Sequence, residues 1–210
     1  MLFLVCILGM MAVVPIHFLS VEHLKLEHKY GQEKGRKVGG FLGMVSGWGF
    51  FGFWVGLWVS SQPRFDIPLL RDFVLIVPGI SIQFPLVHLL VALPLLSVGA
   101  WLGIAGVRAI SLKAAETHRS ERIVKTGVYA HSRHPQYLGG LISHLGMTFL
   151  LSGLYSLLVS PVVILLNYLV SWKEEKELVR EFGSEYEEDQ RRTSMFLPKI
   201  HAQTISDDRS

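Results

Sequence analysis

Apolar residues gather along this chain in long blocks separated by short polar ones, the patterning of a polypeptide folded in a lipid bilayer. Three blocks, Leu2 to Ser20, Gly39 to Ser60 and Phe84 to Val107, are each long enough to cross as a helix. A fourth, Tyr137 to Trp172, can cross twice if two short helices turn near Ser152 and Gly153, at ~1.5 Å of rise per residue. The pattern predicts an all-α polytopic fold with about five transmembrane helices. Ile67 to Ile82 is also apolar, but Arg71, Asp72 and Pro78 interrupt it, so it reads as an interfacial or re-entrant element. The chain forms a single integral membrane domain, with amino-terminal spans over 1–107, a second half over 108–200 and a polar tail over 201–210 expected to be disordered.

Charge tests the crossing count independently, because Lys and Arg collect on the cytoplasmic face. Lys25, Lys29, Lys34, Arg36 and Lys37 follow the first block; Arg108, Lys113, Arg119, Arg122, Lys125 and Arg133 precede the hairpin; Lys173, Lys176, Arg180, Arg191, Arg192, Lys199 and Arg209 follow it. Five crossings put all three groups on one side, with the amino terminus outside and the carboxyl terminus in the cytoplasm. The first block has no basic residue ahead of it and no small-residue cleavage pattern, so it is expected to be a retained span. The net charge of +3 is thus a topology signal, aided by anionic lipid, and calls for no nucleic acid.

Polar chemistry concentrates at the two ends of the hairpin. Arg133-His134-Pro135 stands just before it and Glu174-Glu175 just after it, so an antiparallel pair of helices returns both clusters to one membrane surface and one pocket. Pro135 suits the first turn of a helix, where its missing N–H costs nothing. Arg122 to Tyr129 is β-branched and carries Gly127, so an extended strip with free backbone groups is expected there, able to hydrogen-bond the edge of a purine.

Other features carry less. Cys6 alone excludes an internal disulfide. Gly39, Gly43 and Gly47, then Gly52 and Gly56, recur every four residues and read first as a helix-packing stripe, or as one wall of a lipid groove together with Trp48, Trp54 and Trp58. The histidines do not form paired boxes: His131 and His134 are three apart, and His17, His23 and His28 are scattered over what reads as a loop, so no metal is predicted. His88 and His144 lie inside spans, where a neutral imidazole bonded between helices is the ordinary explanation. No Gly-rich strand-to-helix turn of a soluble nucleotide-binding fold is present.

One compound pattern is specific. Ile123-Val124, Gly127 and Tyr129 are followed by Arg133-His134-Pro135, Tyr137 and Gly139, then Glu174-Glu175 and Leu178, then Phe182-Gly183 and Tyr186, then Leu197-Pro198. This order closely resembles the isoprenylcysteine carboxyl methyltransferase family, including its prokaryotic members, and more distantly the phospholipid N-methyltransferases. The resemblance covers about Arg122 to Lys199. Asp189 stands where many relatives have a second tyrosine.

The resemblance implies an enzyme that uses S-adenosylmethionine in a cytoplasmic pocket roofed by the tail and methylates a lipophilic or lipid-modified acceptor arriving from the bilayer. By similarity, the backbone of Val124 to Gly127 and Tyr129 holds the adenine end, His134 and Tyr137 the amino-acid end, and Glu174 or Glu175 the ribose or ammonium groups. Arg133, with Arg192 or Arg191, would orient an acceptor carboxylate through two-point contact. An amine or thiol acceptor would instead need Glu175 or His134 as base. The rival readings are an NADPH-dependent sterol or isoprenoid reductase and a membrane scaffold that binds no nucleotide.

Overall fold

The computed structural model describes residues 1–69, 73–76, 83–119 and 122–197. Eight α-helices are present among them: α1 (Leu2–Ser20), α2 (His23–Tyr30), α3 (Gln32–Val59), α4 (Leu86–Ile110), α5 (Leu112–Thr117), α6 (Pro135–Leu150), α7 (Leu154–Phe182) and α8 (Ser184–Arg192). A 3-10 turn covers Gly127–Ala130. Helices α1, α3, α4 and α7 are each long and apolar enough to cross a bilayer. Large apolar side chains such as Leu4, Leu8, Phe41, Leu93, Trp101 and Leu158 point outward, as they do when lipid rather than water surrounds a helix bundle.

Helix α6 has 16 residues, about 24 Å of helix, and is shorter than these four. It runs back along α7, its first turn meeting that helix where Tyr137 reaches Glu174, so the structure offers four helices of spanning length where five crossings were expected. The turn between them places Ser152 in the left-handed region (φ 55°). The chain that follows α3 clamps it from outside: Phe65 N donates to Ser152 O and Leu154 N to Pro63 O, both at 2.9 Å.

The expected interfacial element over Ile67 to Ile82 lies largely outside the described residues. Its described part, β1 (Val74–Ile76), pairs antiparallel with β2 (Gln83–Pro85). This two-stranded ribbon is an addition to the all-α expectation. The expected disordered tail, 201–210, also lies outside the described residues.

Helices α1, α3 and α7 share a core of Cys6, Met10, Val14, Trp54, Leu57, Val159, Val163, Leu166 and Val170. The glycine stripe of α3 divides between its two readings. A Cβ on Gly56 would fall 2.4 Å from Cys6 Sγ and one on Gly43 would fall 3.0 Å from the carbonyl oxygens of Glu116 and Thr117, so these two are packing positions. Gly47 instead lines an apolar groove with Trp48, Trp54 and Trp58. His144 is the polar node of the bundle: Trp54 and Trp58 both donate to its Nδ1, at 2.9 and 3.0 Å, and its Nε2 lies 3.2 Å from Ser160 Oγ. At the far end His88 Nδ1 meets Ser152 Oγ at 2.7 Å. Both are histidines bonded between elements, as a buried imidazole requires.

The tightest contact in the bundle joins α4 to α6, where backbones touch: a Cβ on Gly139 would lie 2.5 Å from Gly103 N and one on Gly99 would lie 2.7 Å from Gly139 O. Without a hydrophobic drive between helices in lipid, such close approach is a main source of attraction. Gly139→Val is therefore expected to destabilise the protein by about 1–3 kcal/mol through overpacking. Gly52→Ala, where nothing lies within 4 Å of the new methyl, is expected to leave stability unchanged or improved. Thermal unfolding of both variants in one detergent tests this, and equal melting temperatures would contradict it.

Candidate functional site

The hairpin returns its two polar clusters to one point. His134 immediately precedes α6, and Glu174 and Glu175 lie on the extension of α7 that continues to Phe182, ten residues past the apolar run. Adjacent helix positions point about 100° apart, so the two carboxylates serve different neighbours.

Glu175 faces the chain before α6. Arg133 donates to Glu175 Oε1 from both Nε and Nη2, each at 2.7 Å, and both side chains are buried. Gln190 of α8 donates to Oε2 at 2.9 Å. The Nη1 of Arg133 is bonded to the carbonyls of Gln190 and Thr193. The segment after α8 then runs as a strap over the site, with Arg133 N donating to Ser194 O (2.9 Å), His134 N to Met195 O (3.1 Å) and Ser132 Oγ to Met195 O (2.9 Å).

Glu174 faces α1 and α6. Tyr137 Oη donates to its Oε1 at 2.5 Å, and His17 Nε2 lies 3.1 Å from the same oxygen. His134 sits between the two acids, its Nδ1 3.5 Å from Glu174 Oε2 and its Nε2 3.3 Å from Glu175 Oε1. Its ring stacks on Tyr137, with Phe196 of the strap at its edge. Gln136 Oε1, beside this cluster, is buried and makes no hydrogen bond among the described residues.

A small cavity of about 100 Å³ opens among Ile123, Val124, Tyr129, His134, Gln136 and Glu174. It shares His23, Ile110, Ala114, Arg122 and Val124 with a neighbouring cavity of about 530 Å³ that carries Arg36, Lys113 and Arg119. On its other side it shares Ala115, His118 and Gln136 with the apolar groove, about 680 Å³, that runs between α1, α3, α4, α6 and α7. Polar pocket and lipid-facing groove therefore meet at His118 and Gln136.

Burial sets the electrostatics around the pocket. It pushes the hydroxyls of Tyr129 and Tyr186 above the usual tyrosine range, helped by Glu174 for Tyr129 and by Glu175 for Tyr186. Burial likewise raises the Asp189 carboxyl. The His118 imidazole is lowered to about 3 by burial and then by His17 beside it, so it is neutral at ordinary pH. Outside the pocket, Lys173 joins Glu22 (2.8 Å) to Glu177 (2.7 Å), and Arg119 reaches Glu27 at 2.6 Å, tying the corner after α1 to α7 and to the loop after α5.

Of the residues singled out in the sequence, Arg133, His134, Tyr137, Glu174 and Glu175 form one hydrogen-bonded cluster, and Val124 and Tyr129 line the pocket beside it. Gly127 opens the 3-10 turn with φ 63°. The extended strip expected over Arg122 to Tyr129 is thus shortened, because the chain winds into that turn to bury Tyr129 against Gly106. Arg192 is not brought to the cluster. It lies on the exposed side of α8 and pairs with Glu188 at 2.5 Å.

Sequence reading missed His17, His118, Gln136 and Gln190. His17 belongs to the last turn of α1 and not to a loop. The readable signal was a histidine at the polar end of an apolar block, facing an acidic pair whose partner helix was already predicted.

Residues 87–185, just under half of the chain, match the family described as phospholipid methyltransferase. The chain is similar to the protein-S-isoprenylcysteine O-methyltransferase of Saccharomyces cerevisiae, 35% identical over 86 residues that make up 37% of this chain and 33% of the yeast protein. It is also similar to the protein of that name from Schizosaccharomyces pombe, 31% identical over 104 residues, 46% of this chain and 41% of the relative. The chain therefore spans about a third to two fifths of the length of the curated relatives it matches. No solved structure matches it significantly. The matched segment contains both halves of the Arg133–Glu175 cluster, so the similarity to these membrane methyltransferases falls on the site itself.

Proposed function

We propose that this protein is an S-adenosylmethionine-dependent membrane methyltransferase acting on a lipophilic acceptor, an isoprenylcysteine-like carboxylate or another small lipid-soluble molecule. The observation that carries the reading is the junction between an apolar groove and a buried polar pocket at His118 and Gln136. A lipid chain in the groove would bring its polar end to that junction without leaving the bilayer.

The residues present suit the cofactor. Val124 and Tyr129 offer an apolar wall, and His134 and Gln136 bring polar side chains to the same cavity. Glu174 and Glu175 accept from hydroxyl and ammonium donors when ionised. The pocket beside them is smaller than the ~300–1,000 Å³ of most ligand sites. The adjoining cavity brings the shared space into that range. When bound, the sulfonium supplies a methyl group ready for in-line displacement.

The chain's own residues then have to align the acceptor and exclude water. The strap over Arg133 and His134 does the second. Arg133 holds this roof to Glu175, and it can orient an acceptor carboxylate only by exchanging the Gln190 and Thr193 carbonyls for the acceptor. With an amine or thiol acceptor, His134 or Glu175 is the group placed to take the proton. We assign the pocket and the carboxyl terminus to the cytoplasmic side and the amino terminus to the outside, on the distribution of Lys and Arg.

His134→Ala and Glu174→Gln are each expected to weaken S-adenosylhomocysteine binding tenfold to a hundredfold, about 1.5–3 kcal/mol for one charge-assisted hydrogen bond, in protein that still melts cooperatively. Calorimetry checks this, with NADPH as the competing ligand of the reductase reading. Unchanged affinity in both variants, or binding of NADPH alone, would overturn the proposal. Sidedness is tested separately by a topology reporter fused at Arg64, expected to report outside; a cytoplasmic signal there would contradict the five-crossing arrangement.

A further inference from the structure

Three side chains that sequence spacing keeps far apart converge beside the pocket: His17 at the end of α1, His118 in the left-handed residue that caps α5 (φ 52°), and Glu174 of α7. One ligand atom from each lies within 4.8 Å of the other two. His17 is only 5% exposed, and its Nε2 lies 3.1 Å from Glu174 Oε1.

The surroundings fix the right form of the second imidazole. Ser20 Oγ donates its single proton to His17 O at 2.7 Å, so at 3.3 Å from His118 Nδ1 it must accept from that nitrogen. His118 Nε2 is then left with a free lone pair, the ligating tautomer. His23 Nε2 donates to His118 O at 2.9 Å and holds the cap in place. Tyr137 donates to Glu174 Oε1, and His134 lies against its other oxygen, the kind of outer support that orients a ligating carboxylate.

We propose that His17, His118 and Glu174 form a transition-metal site suited to Zn²⁺. Two imidazoles and one carboxylate match the donor preference of that ion, and three protein ligands leave a fourth position open. His17 and His118 both line the apolar groove, so the open position faces the place where an acceptor's polar end would arrive. Metal binding does not depend on the methyl-transfer reading; only this use of the fourth position, to hold an acceptor carboxylate or thiolate, rests on it.

The test uses the full chain in detergent, stripped with chelator, dialysed against Zn²⁺ and assayed by elemental analysis, with Co²⁺ as a spectroscopic substitute. The structure predicts one tightly held Zn²⁺ per chain and a tetrahedral Co²⁺ absorption spectrum. His17→Ala and His118→Ala should each weaken Zn²⁺ affinity by about a hundredfold. No stoichiometric Zn²⁺, equal content in parent and variants, or an octahedral Co²⁺ spectrum would overturn the site. The Co²⁺ spectrum of the parent protein decides the matter even where a variant fails to fold. Normal S-adenosylhomocysteine binding without Zn²⁺ would remove the metal and leave the methyltransferase reading intact, and Zn²⁺ without S-adenosylhomocysteine binding would do the reverse.

Discussion

The contact between Arg133 and Glu175 is the constraint on which the site depends. It joins the start of α6 to the extension of α7, and through the carbonyls of Gln190 and Thr193 it fastens the strap that covers the pocket. Burying two charges costs several kcal/mol per ion, and a single contact rarely offsets that. Here the guanidinium donates to one carboxylate oxygen from two nitrogens and to two carbonyls from the third, while Gln190 fills the other carboxylate oxygen. The pair survives burial because its hydrogen-bonding capacity is used almost completely. Removing either partner would strand the other.

The same geometry reconciles two solvents. Most of the bundle presents Leu, Phe and Trp outward, and its helices are held by close backbone approach at Gly99, Gly103 and Gly139 and by one imidazole shared between two tryptophans. At its polar end α7 continues past the apolar run, and its carboxylates turn inward toward Tyr137, His17, His134 and Arg133 instead of outward into water. The apolar groove lined by Trp48, Trp54 and Trp58 opens toward this polar end. The short segments α2 and α5, tied to α7 and to each other's loops by Lys173 and Arg119, close the remaining sides.

Hydropathy made the spans legible. The first block, Leu2 to Ser20, is helix α1 residue for residue, and the hairpin turn falls at Leu151 to Gly153 as the pattern required. Helix α3 starts at Gln32, seven residues before its apolar block, because helix propensity and the Glu33–Lys37 pair carry it outward through polar sequence that hydropathy cannot see. The Arg133–Glu175 meeting was legible because a hairpin has only one way to return its ends. Contacts that join separate elements by backbone left no trace in the sequence: the strap bonds from Ser194 and Met195 to the chain before α6 depend on carbonyls that every residue possesses. The convergence of His17, His118 and Glu174 was hidden for a related reason, since it depends on how α1 and α5 pack against α7 and not on any spacing along one helix.

A double-mutant cycle on Arg133 and Glu175 tests the central claim most directly. Stability in detergent would be measured for Arg133→Met, Glu175→Gln and the double variant. Because each single change leaves a buried partner uncompensated, the account predicts losses of about 3–5 kcal/mol for the singles and a double variant markedly less destabilised than their sum. Strictly additive losses would show that the two residues do not act through one another, and the assembly of the site by hairpin closure would be wrong.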